Sequence, residues 1–193
     1  MKGDPAVVFE PIYQRSADPW GFASSWYERR RYDITVALLL DERYGRAFEP
    51  GCSIGELTRR LSERCDAVVA WDASATAVAA ARRNCEDRRN VEFDVGTVPD
   101  RWPAGMVDLV VLSEIGYYVD QQGVARLRNC AIESLRPGGT LIAVHWLGRS
   151  SDHVLHGDQV HEVLDDPRLQ HCVSHRDEAV EPGFRADVWR ARG

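Results

Sequence analysis

The chain has 193 residues, of which 28 % are charged and 44 % hydrophobic, and a formal net charge of −6. That size and composition support one self-sufficient core and exclude a largely disordered or collagen-like protein. The negative balance disfavours general nucleic-acid binding, which relies on a positive field. The longest mostly apolar run, residues 34–40, falls far short of the ~20 residues that cross a bilayer.

Residues 1–20 hold five charged residues and three prolines without clear periodicity, which predicts an irregular lead-in. No basic-then-apolar start marks a secretory leader. Residues 23–44 read as a helix, with Ser24 or Ser25 as its cap and Tyr27, Ile34, Ala37 and Leu38 at helical spacing. Short apolar runs then alternate with helical stretches. Residues 46–50 lead into a glycine-bearing turn, and residues 55–65 carry a stripe of Leu57, Leu61 and Cys65. Residues 67–71 form a β-rich run closed by Asp72, residues 74–85 an alanine-rich helix, and residues 91–95 a short strand. The unbroken apolar part of residues 107–112 suits a strand covered on both faces. A helix around Val124 to Leu135, a turn at 136–139 and a strand at 140–146 follow. Residues 158–164 read as helical, and strands at 169–176 and 184–191 close the chain. This alternation predicts an α/β fold, a mostly parallel sheet with helices on both faces. The short connection before the final strand predicts an antiparallel hairpin.

The five cysteines (Cys52, Cys65, Cys85, Cys130, Cys172) show no C-x-x-C pair. They are expected to be free thiols in a reducing cytoplasm, with no zinc or disulfide framework. His153, His156 and His161 match no zinc-ligand spacing, so no metal site is expected.

The stretch Glu49-Pro50-Gly51-Cys52-Ser53-Ile54-Gly55 lies between a strand and a helix. Glycines there allow positive φ or close approach of a ligand, and a strand-to-helix turn presents backbone N–H groups. Asp72 ends the next strand 21 residues after Gly51, near the offset at which an acid grips ribose hydroxyls. A tight turn and a simple helix cap are the bland alternatives. Turn and acid together, in this order, favour a nucleoside ligand. The fit to the dinucleotide pattern G-x-G-x-x-G is poor, because the glycines are four apart with Ser53 between them. Glu49 also opposes a pyrophosphate, whereas an acid-lined pocket favours the ammonium and sulfonium of S-adenosylmethionine.

These residues resemble the class I S-adenosylmethionine-dependent methyltransferases. Residues 49–55 look like that family's E/D-x-G-x-G-x-G motif, with Ser53 in place of the middle glycine. The resemblance implies a Rossmann-like seven-stranded sheet with an antiparallel last strand. It implies a cofactor site of Glu49, Gly51, Cys52, Gly55, Asp72, Ala73, Asp94, Val95 and Ser113, with Asp94 meeting the adenine amine. The chain is similar, more narrowly, to the nodulation protein S type of N-methyltransferase, which acts in lipo-chitooligosaccharide synthesis. The carriers are the helix at 26–31 and the stretch Ser113-Glu114-Ile115-Gly116-Tyr117-Tyr118.

The resemblance divides the chain into a cofactor lid at residues 1–44 and a methyltransferase domain at 45–193. In the lid, Trp20 would cover the cofactor and Arg31 would pair with the methionyl carboxylate; a solvated basic helix face is the alternative. Glu114 is the candidate for amine binding or proton acceptance. Tyr117 and Tyr118 are expected to wall the methyl group, and His145 is a further base or substrate ligand at the pocket side. The expected activity is N-methylation of an amine on a sugar-like small molecule, with no nucleic-acid or membrane partner. O-methylation, nicotinamide-dependent oxidoreduction and a non-catalytic cofactor-binding subunit are the competing readings.

Overall fold

The computed structural model of the protein describes residues 4–192. Seven strands form one sheet: β1 (Tyr44–Pro50), β2 (Cys65–Asp72), β3 (Val91–Val95), β4 (Val107–Ser113), β5 (Leu135–Trp146), β6 (Leu169–Asp177) and β7 (Phe184–Ala191). Their order is β3-β2-β1-β4-β5-β7-β6. The first five strands pair in parallel, and β7 runs antiparallel to both β5 and β6. The order reverses between β1 and β4, where open α/β sheets bind their ligands. This is the Rossmann-like methyltransferase architecture expected from the sequence.

Side chains alternate across each central strand. Val68 and Ala70, Leu109 and Val111, and Ile142 and Val144 enter one core, with Leu57, Leu61, Val78 and Ala81 from the helices above. Val69 and Trp71, Val110 and Leu112, and Leu141 and Ala143 enter the other, against Val124, Ala131, Val160 and Leu164. Helices α2 (Trp26–Ala37), α3 (Glu56–Arg64) and α4 (Ala75–Asn84) therefore cover one face. Helices α5 (Gln121–Ser134) and α6 (Gly157–Leu164) cover the other. Burying a leucine such as Leu61, 0 % exposed, contributes roughly 1.5–3 kcal/mol. Ser25, Ser74 and Asp120 cap α2, α4 and α5 through side-chain oxygens that accept backbone N–H groups. Among the described residues no helix is long and apolar enough to cross a membrane.

Three expectations change. The lead-in is a helix, α1 (Pro5–Arg15), whose first turn is capped by Asp4 accepting from the Ala6 N–H at 2.9 Å. Pro11 lies inside it and forgoes one ladder hydrogen bond. The second helix covers Trp26–Ala37 rather than 23–44, and Tyr44 already opens β1, with its hydroxyl 3.2 Å from Thr140 Oγ1. The 136–139 turn is absorbed into β5, whose register against β4 shifts there, and Gly138 takes φ 77°.

Candidate functional site

The glycine turn sits at the carboxyl ends of β1 and β2. Gly51 has φ 76°, and a Cβ there would come within 2.4 Å of Ile115. Ser53, which replaces the family's middle glycine, has φ 51°. That conformation explains why the motif prefers glycine; a side chain held there costs on the order of 1–3 kcal/mol. Here the serine has a use, because its hydroxyl accepts a 2.5 Å hydrogen bond from Tyr13 of α1.

Four of the turn's N–H groups are already engaged. Gly51 and Cys52 both donate to the Trp71 carbonyl (2.7 and 2.9 Å), Ser53 to Asp72 Oδ2 (2.9 Å) and Gly55 to the Cys52 carbonyl (2.9 Å). That part of the expected N–H cradle is thus spent inside the protein, while α3 begins without a side-chain cap. Asp72 holds this turn and also accepts from the Ser74 N–H at 2.9 Å, at the start of α4. Burial pushes its carboxyl up to about 6, although the backbone N–H groups pull the other way.

A cavity of about 500 Å³ opens above these strand ends, within the size range of small-ligand pockets. Trp20, Arg31, Gly51, Asp72, Ala73, Ser113, Glu114, Tyr117 and Tyr118 line it, so nine of the expected residues come together. Tyr27, an aromatic of the helix expected to cover the cofactor, lines it too, as do Phe9, Tyr13, Gly96, Thr97, Trp146 and His153, for which no such place was expected. Phe9 packs edge-on against Tyr118, with ring centroids 5.0 Å apart, and Trp20 stacks on Phe22. Helix α1 therefore roofs the cavity. Its Glu10 carboxylate accepts from Ser74 Oγ (2.6 Å) and Thr76 Oγ1 (2.5 Å) at the amino end of α4.

Other expected residues lie elsewhere. Glu49 and Cys52 line a smaller void beneath the turn. Glu49 is buried and accepts from Thr58 Oγ1 at 2.6 Å; burial pushes its carboxyl up to about 8. The folded protein holds a proton there that an unfolded glutamate releases near 4.5, so this group's stabilising effect fades as pH rises between those values. Gly55, φ 88°, is the cap of α3 and packs on Ala81 and Cys85. Asp94 and Val95 point to solvent from the edge strand β3, and Asp94 lies 3.5 Å from Arg101 rather than on the cavity wall. Gly96 and Thr97 line that end instead.

His145 is the clearest correction. It is 0 % exposed and away from the cavity wall. Its Nε2 accepts the Gly116 N–H at 3.0 Å, so its Nδ1 carries the proton and donates to His161 Nε2 at 3.1 Å. His161 Nδ1 in turn donates to Asp187 Oδ2 at 2.7 Å. Burial pushes both imidazoles below their ordinary range. This chain of bonds holds the 3-10 turn Gly116–Tyr118 in place. His145→Ala is expected to destabilise the fold by about 1–3 kcal/mol for each of the two groups left without a partner. Chemical denaturation measures this, and a loss below about 1 kcal/mol would refute the structural role.

The far end of the cavity is built around Glu114, which adopts φ 60°. Its Oε2 accepts from Tyr117 Oη (2.5 Å) and from Arg31 Nη1 (2.8 Å), and its Oε1 from the Trp146 N–H (2.7 Å). Arg31 also pairs with Glu28 and is 2 % exposed. Arg31 Nε and Tyr27 Oη are buried and have no hydrogen-bond partner among the described residues. Both belong to cavity-lining side chains. Two orphaned donors, one on a cation, fit a carboxylate such as the methionyl end of S-adenosylmethionine. Asp72 at the strand end fits its ribose.

Fold, glycine turn, strand-end acid and cavity define a class I S-adenosylmethionine-dependent methyltransferase. The family model of nodulation protein S (NodS) matches residues 13–172, and the chain belongs to that family. It is 24 % identical over 160 residues to nodulation protein S of Sinorhizobium fredii, covering 79 % of this chain and 73 % of that one. It spans 53 to 61 % of three further relatives of the same name. A methyltransferase-assigned crystal structure from Pseudomonas syringae is 38 % identical, with a TM-score of 0.74 over 86 % of this chain and 99 % of that one. The N-methyltransferase NodS of Bradyrhizobium japonicum, solved with S-adenosyl-L-homocysteine, is 19 % identical but matches 99 % of this chain and 100 % of its own at TM-score 0.86.

S-adenosylhomocysteine at about 100 times its dissociation constant is expected to add roughly 2.7 kcal/mol of stability, a rise of about 5–10 °C in melting temperature. NAD is expected to give none. A shift with NAD alone would contradict the assignment of the cavity.

Proposed function

We propose that the protein methylates the nitrogen of an amine on a sugar or sugar-like small molecule. The observation that carries this is Glu114, an acid fixed by three donors at the end of the cavity. Oε1 makes one of those bonds and keeps a second lone-pair direction for an amine N–H. A carboxylate acceptor would be repelled there. Tyr118 and Trp146 offer flat apolar faces to a sugar ring, and Arg149, Ser150 and Asp152 offer partners for its hydroxyls. The Bradyrhizobium relative is an N-methyltransferase, which supports this reading.

When bound, the cofactor supplies an electrophilic methyl group on sulfur. The protein's own part is to hold the amine in line, keep water out and manage its proton. In this reading Asp72 grips the ribose, Arg31 and Tyr27 hold the methionyl end, and the smaller void under Glu49 belongs to the same region. Three buried unpaired thiols, Cys52, Cys65 and Cys85, support a reducing cytoplasmic location. Turnover of labelled cofactor with a 2-amino sugar and with its N-acetyl form tests the acceptor. The free amine is expected to be methylated and the amide left untouched; equal turnover of both would overturn the reading.

Of the expected lid at residues 1–44, the part that acts as a lid in this proposal is α1 and the loop carrying Trp20; α2 packs on the sheet as part of its core, Tyr44 belongs to β1, and residues 1–3 lie outside the described residues. Helix α1 and Trp20 close the cavity through few contacts to the sheet domain, chiefly Glu10 with α4, Tyr13 with Ser53 and Phe9 with Tyr118. Amide exchange in α1 is expected to slow when S-adenosylhomocysteine binds. Equal protection with and without it would make α1 a fixed structural helix.

A further inference from the structure

The chain has six histidines. His145 and His161 are buried with their ring nitrogens engaged. His156 caps α6, its Nε2 lying 2.7 Å from the Leu147 carbonyl. His171 and His175 lie on β6, packed beside Trp189 and Phe184 and off the cavity wall. His153 alone lines the cavity, and neither of its ring nitrogens makes a hydrogen bond among the described residues. Its ring stacks on Tyr117 at 3.8 Å and 20°, edge-on to Tyr118 at 5.2 Å and to Trp146 at 6.0 Å.

Resting on the amine reading above, we propose that His153 is the catalytic proton acceptor. An amine arriving as ammonium has no lone pair to receive a methyl group. Its N–H bond breaks, the proton bonds to a ring nitrogen of His153, and the electron pair stays on the amine nitrogen. The half-buried ring then releases the proton to solvent. Glu114 is less suited to this task, because Arg31, Tyr117 and the Trp146 N–H already hold its charge. Glu114 draws the ammonium in, and His153 unloads it.

The surroundings favour a neutral ring near pH 7. Burial lowers its proton affinity, and His156 adds to that; Asp152 on the same loop and Glu114 after β4 oppose it. Tyr117 and Tyr118 face the ring from the 3-10 turn, both held neutral because burial raises their phenols well above the ordinary range. Arg149 lines the same wall.

The test compares wild type with His153→Gln on a 2-amino sugar from pH 6 to 9.5. Wild-type kcat is expected to level off near neutrality. The variant is expected to lose about 10²-fold at pH 7, within the range for general-base catalysis. Its deficit is expected to shrink to about threefold at pH 9.5, where the amine loses its proton unaided. Imidazole added to His153→Ala should restore part of the rate, and S-adenosylhomocysteine affinity should stay within about threefold. Without cofactor, imidazole NMR should show the His153 signal, absent from the variant, moving when the amino sugar is added. A deficit equal at all pH values, or no deficit at pH 7, overturns the proposal while amine methylation stands. A wild-type product methylated on oxygen overturns the amine reading and this proposal with it.

Discussion

Glu114→Gln is expected to cut kcat/KM for an amine acceptor by about 10²-fold, since a hydrogen bond to a charged acceptor is worth about 1.5–3 kcal/mol. The glutamine amide must turn its NH₂ toward either the Trp146 N–H or the donors of Arg31 and Tyr117. One donor then faces another, so the site loosens as well as losing its charge. The loss should fall mainly on KM, because Glu114 holds the ammonium and His153 takes the proton. Steady-state kinetics with calorimetric titration of S-adenosylhomocysteine separates the effects. Cofactor affinity should hardly change, and a variant working at full rate would remove Glu114 from the site.

Asp72→Ala has a different signature. Loss of the ribose acceptor is expected to weaken S-adenosylhomocysteine by about 1.5–3 kcal/mol, some 10- to 150-fold in dissociation constant. The fold also suffers, because Asp72 is buried rather than exposed at its strand end. Removing its carboxylate strands the Ser53 and Ser74 N–H groups, at about 1–3 kcal/mol each. Relief of a costly buried charge offsets part of this. The raised carboxyl also has a pH consequence. In wild type, protonation below about pH 6 removes the charged acceptor, so cofactor affinity should fall as pH drops through that value. Asp72→Asn keeps one backbone acceptor and should bind weakly without that pH dependence. Unchanged affinity in Asp72→Ala, measured by calorimetry, would reduce Asp72 to a brace for the turn.

The parts of the molecule legible in the sequence are those whose signal is local. Val107 to Leu112 is a buried parallel strand because almost every position is apolar, and β2 is bounded by an acid that ends it. The glycine turn is legible as a site, but the partners that engage the Gly51, Cys52 and Ser53 N–H groups are not. Those partners, Trp71 and Asp72, lie on another strand and depend on register. Helix α1 carried a readable start in Asp4-Pro5, with Phe9, Ile12 and Tyr13 at helical spacing. Pro11 and the surrounding charges masked it, and its apolar face has no partner until the cavity exists.

Histidine roles were the least legible. His145 lies near the end of a strand beside the site, but its ring faces the helix side and meets His161 and the Gly116 N–H. His153 sits in an irregular loop with no periodicity to place it, and only the fold brings it onto Tyr117. Asp94 matched a motif by position, but β3 is an edge strand on which only Phe93 is buried, so its neighbours face water.

The central claim is that this cavity joins a methyl donor to a nitrogen. Cofactor labelled with ¹³C in its methyl group, incubated with the protein and a 2-amino sugar, reports this directly by NMR of the product. The labelled carbon should appear as an N-methyl group, in wild type at high yield and in Asp72→Ala and Glu114→Gln at low yield. A label found on oxygen, or retained entirely on the cofactor, would contradict it.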